Sequence, residues 1–352
     1  MYRQFYGLYD VPFSLAPDPK YLFRTESLLE VFANLQYCIE HGKGVVLMTG
    51  EVGTGKTMVL RSMLQSLDHS VAAAYIFNPI LNTSDFYSTL ASEFRLPAQT
   101  TKASMLRMLG HFLLSRHQRG LRTVLVIDEA HLLPRTLLEE IRLMSNYETN
   151  REKLFQIILC GQPELRQVFA QPELRQLKQR ISLRTEIHPL SARETAEYIA
   201  WRLRVAGAKN PNFFELEAIA AVYRFSGGIP RIINNICDNA LLTGFSGGNR
   251  AITTAIIHEV VDLLDLGTPD LLPMHVGRLD LAVTGSIVQE APRPEAIAAG
   301  SDSHKSDNVR YLRRDLNPSE PPRSGLDTPA SISRATQDST QRFFSRARVA
   351  RT

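Results

Sequence analysis

Two short runs in this chain combine residue types and spacing that can do chemistry. The first is Gly50-Glu-Val-Gly-Thr-Gly-Lys-Thr57, which fits the G-x-x-x-x-G-K-[ST] pattern. Its glycines let the main chain turn tightly and bring N–H groups close to phosphate oxygens. A helix opening after Gly55 adds partial positive charge at the same place. Lys56 would reach the β- and γ-phosphates, and the Thr57 hydroxyl would bind Mg²⁺. Gly50, Glu51, Val52, Gly53, Thr54, Gly55, Lys56, Thr57 and Met58 are therefore the expected nucleotide-binding run. The bland alternative is a glycine-rich turn with a surface lysine. It does not account for the apolar run Val45–Met48 directly before the motif, nor for Met58, Val59, Leu60 and Met63 at helical spacing after it.

The second run is Val124-Leu-Val-Ile-Asp-Glu129. Four apolar residues make a buried strand, and two carboxylates emerge at its C-terminal end, where open α/β sheets bind ligands. Asp128 would hold Mg²⁺ through water, and Glu129 would orient and deprotonate an attacking water. The alternative is an ordinary solvated strand end. Asp128-Glu-Ala-His131 also spells the box of one RNA helicase group, but those enzymes need a second RecA-type domain, and this chain turns helical after Pro189. His131 reads as a helix-start residue near the site, since no second His, Cys or carboxylate stands at ligand spacing from it.

Strand candidates that would position these runs are Val45–Thr49, Val71–Phe77, Thr123–Ile127, Phe155–Cys160 and Leu183–Ile187. Between them lie helical patterns at Ser84–Phe94, with Ser84 as N-cap, at Ser104–His117, and from Arg135 to Asn146. Strands alternating with helices predict a mainly parallel sheet covered on both faces. After Pro189 only helices follow. Ser191 and Glu194 form a capping box that opens a helix to Val205, and further helices run from Glu215 to Phe225, Arg231 to Phe245 and Thr254 to Leu264. The expected architecture is an N-terminal segment (1–29), a three-layer α/β P-loop domain (30–188), a small helical domain (189–265) and a disordered polar tail (266–352).

Composition fits this frame. Of 352 residues, 44% are apolar and 22% charged, ordinary values for a globular protein with a large core. Cys38, Cys160 and Cys237 are scattered and odd in number, which excludes a disulfide framework or zinc ribbon and fits a reducing cytoplasm. No apolar run is long enough to span a bilayer, and no apolar stretch suited to a secretory signal follows Met1, so neither a transmembrane helix nor a leader is expected. The net charge of +4 is weak evidence for nucleic-acid binding. The tail is rich in Pro, Ser, Arg and Asp, and buries too little apolar surface to offset its chain entropy.

Residues 1–265 resemble the AAA+ ATPases of the ExeA/GspA type from the general secretion pathway, including MshM-like soluble pilus-assembly forms. The resemblance is carried by Tyr6-Gly-Leu-Tyr-Asp-Val-Pro-Phe13, Pro17-Asp-Pro-Lys-Tyr-Leu22, the two runs above, Leu159-Cys-Gly-Gln-Pro-Glu-Leu165, Leu177-Lys-Gln-Arg-Ile181 and Gly228-Ile-Pro-Arg231. It implies an ATP- and Mg²⁺-dependent hydrolase acting as a homo-oligomeric ring. It implies that Gln162 is a sensor-1 residue facing the γ-phosphate or lytic water, with a turn residue before Pro163 as the alternative. Arg180 would be an arginine finger reaching the neighbouring subunit's site, with Arg175 as rival and a solvated arginine as the alternative for either. Arg231, at a helix N-terminus where a cation opposes the dipole, would be a sensor-2 arginine from the helical domain. The N-terminal segment would pack on the adenine through Tyr9, Pro12, Phe13 and Tyr21, or else simply seal the domain edge. Members of that family continue into a membrane helix and a periplasmic peptidoglycan-binding module, neither of which is expected here.

The resemblance favours an ATPase in the cytoplasm that assembles or remodels an envelope secretion or pilus component. The alternative partner is DNA, as for the ATP-binding helper of a transposition system. Arg334, Arg342, Arg346, Arg348 and Arg351, interleaved with Phe343 and Phe344, could grip phosphates and stack bases, or could be a solvated terminus. A third possibility is a slow nucleotide-controlled switch.

Overall fold

The structure is a computed structural model that describes residues 1–267. Five strands form one parallel sheet: β1 (Val45–Gly50), β2 (Val71–Ile76), β3 (Arg122–Ile127), β4 (Gln156–Gly161) and β5 (Ile181–Ile187), in the order β2-β3-β4-β1-β5. The three central strands are apolar on both faces, as a doubly covered parallel sheet requires, and the period of two sorts them. Val46, Met48, Val124, Val126, Ile158 and Cys160 face one core; Val45, Leu47, Leu125, Ile127, Ile157 and Leu159 face the other.

Helices α2 (Glu26–Glu40) and α3 (Lys56–Ser66) cover the first face. Helices α4 (Thr83–Glu93), α5 (Lys102–Gln118) and α6 (Arg135–Met144) cover the second. Two short helices, α7 (Glu164–Val168) and α8 (Arg175–Lys178), connect β4 to β5. Then come α9 (Ala192–Val205), α10 (Leu216–Ser226), α11 (Pro230–Ser246) and α12 (Thr254–Leu263), which build a separate core.

Several expectations shift. The cap of α4 is Asn82, whose side chain accepts from the Asp85 N–H at 2.9 Å, rather than Ser84. Asn is as good a cap as Ser, and two residues more of helix can then form. Likewise α5 starts at Lys102 behind Thr101. The Ser191–Glu194 capping box opens α9. An α/β boundary at residue 30 would cut α2, which begins at Glu26 behind its Thr25 cap.

The N-terminal segment differs most. Helix α1 (Tyr2–Tyr6) and the chain after it put Tyr6, Leu8 and Phe13 into the core of the helical part, not against the nucleotide site. Tyr9 is 80% exposed and covers Gly207, while its N–H bonds to Ala206 O. The amphipathic pattern of α9 to α12 leaves an apolar gap that three side chains from the N-terminus fill. The remainder of the expected tail, including its arginine-rich end, lies outside the described residues.

Candidate functional site

Strand order builds the site. Because β4 lies between β1 and β3, the residues following those strands emerge side by side at the sheet's C-terminal edge. Thr49 is level with Gly161 and Ile127 with Leu159. The glycine-rich run after β1, Gln162 after β4, and Asp128 and Glu129 after β3 are thereby brought together.

Gly55 is left-handed at φ 97 and caps α3, so the loop's amides turn toward the helix N-terminus. Lys56 is buried at 6% exposure, and its ammonium donates to Gly50 O at 2.9 Å and Glu51 O at 3.0 Å. Phosphate oxygens are the natural replacement for these two acceptors. Thr57 Oγ1 donates to Asp128 Oδ2 at 2.7 Å. Asp128 is 2% exposed, and its other oxygen accepts the Glu129 N–H at 2.9 Å. A hydroxyl beside a buried carboxylate is an oxygen-only donor set, which suits Mg²⁺ shared with phosphates and water. Among the described residues no cluster of three or more His, Cys, Asp or Glu could hold a metal unaided.

Glu129 has φ 50, an uncommon conformation for a residue other than glycine and one that collects at functional sites. Its Oε2 atom is buried without a hydrogen-bond partner. His131 Nδ1 stands 3.4 Å from that oxygen, and His131 Nε2 is 3.0 Å from Gln162 Nε2.

A cavity of about 380 Å³ joins these groups to the helical part. Val52 to Val59, Glu129, Gln162 and Arg231 line it. Arg231 sits at the start of α11, where its N–H bonds to Gly53 O at 3.2 Å. The contact is close: a Cβ on Gly53 would stand 2.7 Å from the Arg231 Cβ. Of the expected adenine-packing residues, Tyr21 lines the cavity, as do Ser14 to Pro17, Leu22 and Phe23. Tyr9, Pro12 and Phe13 do not line the cavity.

Arg175 and Arg180 are not brought to the cavity. Arg180 precedes β5, whose first residue pairs with Val45 at the start of β1. The length of the sheet, roughly 20 Å, thus separates it from the chain's own glycine-rich loop.

Two contributors were missed from sequence. Tyr75, at the end of β2, donates to Asp128 Oδ2 at 3.0 Å; burial, followed by the Asp128 charge, pushes its hydroxyl pKa up. Only its place at a strand end hinted at this. Arg202 on α9 is 2% exposed. It bonds to Pro12 O, to Ser14 O at 3.0 Å and to Tyr198 OH at 2.8 Å, with its guanidinium 4.5 Å from the centre of the Tyr21 ring. It ties the N-terminal strap to the helical part. Nothing in a lone helical arginine signals such a role.

Residues 39–169 match the AAA domain family. Over 275 residues the chain is 45% identical to the General secretion pathway protein A of Aeromonas hydrophila, an alignment that covers 76% of this chain. The chain thus carries an AAA domain, and most of its length is similar to General secretion pathway protein A. It spans about half, 50%, of the length of that curated relative. Among solved structures, Cdc6p from Pyrobaculum aerophilum superposes with a TM-score of 0.55 at 17% identity, covering 72% of this chain and 70% of that one. The ADP form of the ORC2 protein from Aeropyrum pernix gives 0.53 at 14% identity, with 71% of each chain covered. At such identities the likeness shows the fold alone: an AAA-type P-loop sheet with a helical part after it. No helix among the described residues is long and apolar enough to cross a membrane.

Proposed function

We propose that this AAA domain binds ATP with Mg²⁺ and hydrolyses it, and that turnover drives assembly or remodelling of a secretion- or pilus-related envelope complex from the cytoplasmic side. The observation that carries the hydrolytic reading is the unpartnered Glu129 Oε2 on the wall of the cavity that Lys56 and Thr57 also line. A buried carboxylate oxygen without a donor is costly unless a ligand or water meets it.

In this reading the loop amides from Gly50 to Met58 and the Lys56 ammonium hold the phosphate chain. Thr57 and Asp128 would hold the magnesium ion, which supplies charge neutralisation on the phosphates. Glu129 takes a proton from the attacking water and aims it in line. Gln162 and Arg231 approach the terminal phosphate from β4 and from the helical part. Arg231 thereby links nucleotide state to the position of α11. The cation still missing from the phosphate's outer side comes from a second copy of the chain in a ring, through Arg180, with Arg175 as the rival. The strap around Tyr21 covers the base.

The secretion-related role rests on the similarity to General secretion pathway protein A, whose name describes that protein. The test of the hydrolytic reading is Glu129→Gln. It should retain ATP with unchanged affinity while phosphate release falls by about 10²–10⁴-fold. Wild-type turnover in that variant would defeat the assignment.

A further inference from the structure

The sequence reads His131 as a helix-start residue, yet its ring lies between Glu129 and Gln162, the water-aiming carboxylate and a phosphate-facing group of the reading above. Its side chain is 14% exposed. It lies against Gly161, the last residue of β4, so closely that a Cβ there would stand 3.1 Å from the His131 nitrogen and 3.4 Å from Nδ1. The ring is thus clamped between the ends of β3 and β4.

Its two nitrogens face different partners. Nε2 is 3.0 Å from Gln162 Nε2, and Nδ1 is 3.4 Å from Glu129 Oε2. The Gln162 main-chain N–H also lies 3.5 Å from Nδ1, so the ring is within reach of Gln162 at both nitrogens and of Glu129 at one. The Glu129 oxygen that Nδ1 approaches is buried and has no hydrogen-bond partner. The imidazole stands between the two side chains, whereas an apolar side chain of similar size would offer neither of them a polar neighbour.

We propose that His131 is a positioning residue that ties Glu129 to Gln162, so that the carboxylate aiming the water is set by the same side chain that meets the terminal phosphate. The inference rests on Glu129 as the base and Gln162 as the phosphate-facing group. Its consequence is that the three residues act as one unit in turnover and contribute little to nucleotide affinity.

The test compares His131→Ala, His131→Gln, Gln162→Ala and the His131→Ala/Gln162→Ala double variant in the full chain. It measures the affinity for a non-hydrolysable ATP analogue and the steady-state rate, with Glu129→Gln in parallel. In His131→Ala the analogue Kd and KM should stay near wild type while kcat falls roughly 100-fold, the scale of a misplaced catalytic group. His131→Gln, whose amide can accept at one end and donate at the other, should recover about a tenth of the wild-type rate or more. The double variant should be no slower than the slower single one, as expected of residues that work as a unit. Wild-type kcat in His131→Ala, loss of analogue binding in step with kcat in both His131 variants, or fully multiplicative losses in the double variant would each overturn the proposal. A dead Glu129→Gln beside a normal His131→Ala overturns this proposal alone. Wild-type turnover by Glu129→Gln overturns the base assignment and, with it, this inference.

Discussion

At the scale of single residues, the site is a set of short hydrogen bonds around one buried carboxylate. Asp128 Oδ2 accepts from Thr57 and Tyr75, and Oδ1 accepts from the Glu129 N–H. Charge-assisted bonds of this kind fix an acceptor's direction as well as its energy. Tyr75 therefore aims the oxygen that would face a magnesium ion in the proposed reading. Tyr75→Phe should leave magnesium-free nucleotide binding unchanged and raise the magnesium concentration needed for half-maximal binding and turnover by roughly 10-fold, the usual effect of losing a partner behind a metal ligand. Magnesium titrations followed by nucleotide fluorescence and by phosphate release check this; an unchanged midpoint in both would remove Tyr75 from the site.

Lys56, Thr57, Asp128 and Glu129 were legible in the sequence because their chemistry needs fixed spacing on a strand–loop–helix and at a strand end. Tyr75 and His131 were not, because their places beside Asp128 and Gln162 depend on which strands become neighbours. Sequence spacing alone does not state that order.

At the scale of elements, the helical part meets the glycine-rich loop through the turn before α11. Gly228 has φ 75, and a Cβ there would stand 1.9 Å from Leu190 O, while Gly228 O accepts the Leu190 N–H at 2.9 Å. The chain leaving β5 and the chain entering α11 thus cross with no room for a side chain. Gly228→Ala combines backbone strain with overpacking, and should destabilise the protein by about 3 kcal/mol or more. It should also weaken nucleotide binding, since Arg231 is carried by the same turn. Denaturant midpoints and ATP affinity, measured on the same preparation, test both parts; wild-type values for the two would show that the turn adapts freely.

The sheet and most helices were readable as elements because apolar runs of six residues and amphipathic periods are local signals. The role of the N-terminus was not. Tyr6, Leu8 and Phe13 fill a gap in a core whose other residues come almost two hundred positions later. Of the two readings of these aromatic residues, packing on the base or sealing the domain edge, Phe13 takes the second and Tyr21 lines the cavity.

At the scale of the whole molecule, Lys56 and Arg231 line the cavity, whereas Arg180 is a sheet's length away. In the proposed reading a further cation comes from another copy of the chain. Arg180→Ala should bind ATP with normal affinity and fail to turn it over, losing roughly 10³-fold or more. Mixed with Glu129→Gln, which keeps the arginine but lacks the base, it should regain activity at interfaces that combine one intact half from each variant. No recovery across mixing ratios would argue against a finger supplied between subunits, and the same experiment with Arg175→Ala separates the two candidates.

The claim on which the rest depends is that the loop around Lys56 grips a triphosphate so that water can cleave it. The most direct measurement is release of inorganic phosphate from ATP by the purified full chain at high protein concentration with magnesium, beside Lys56→Ala prepared identically. The account predicts steady release by the wild type and none above background by the variant. Equal release from both, or none from a wild type shown to be folded, would contradict it.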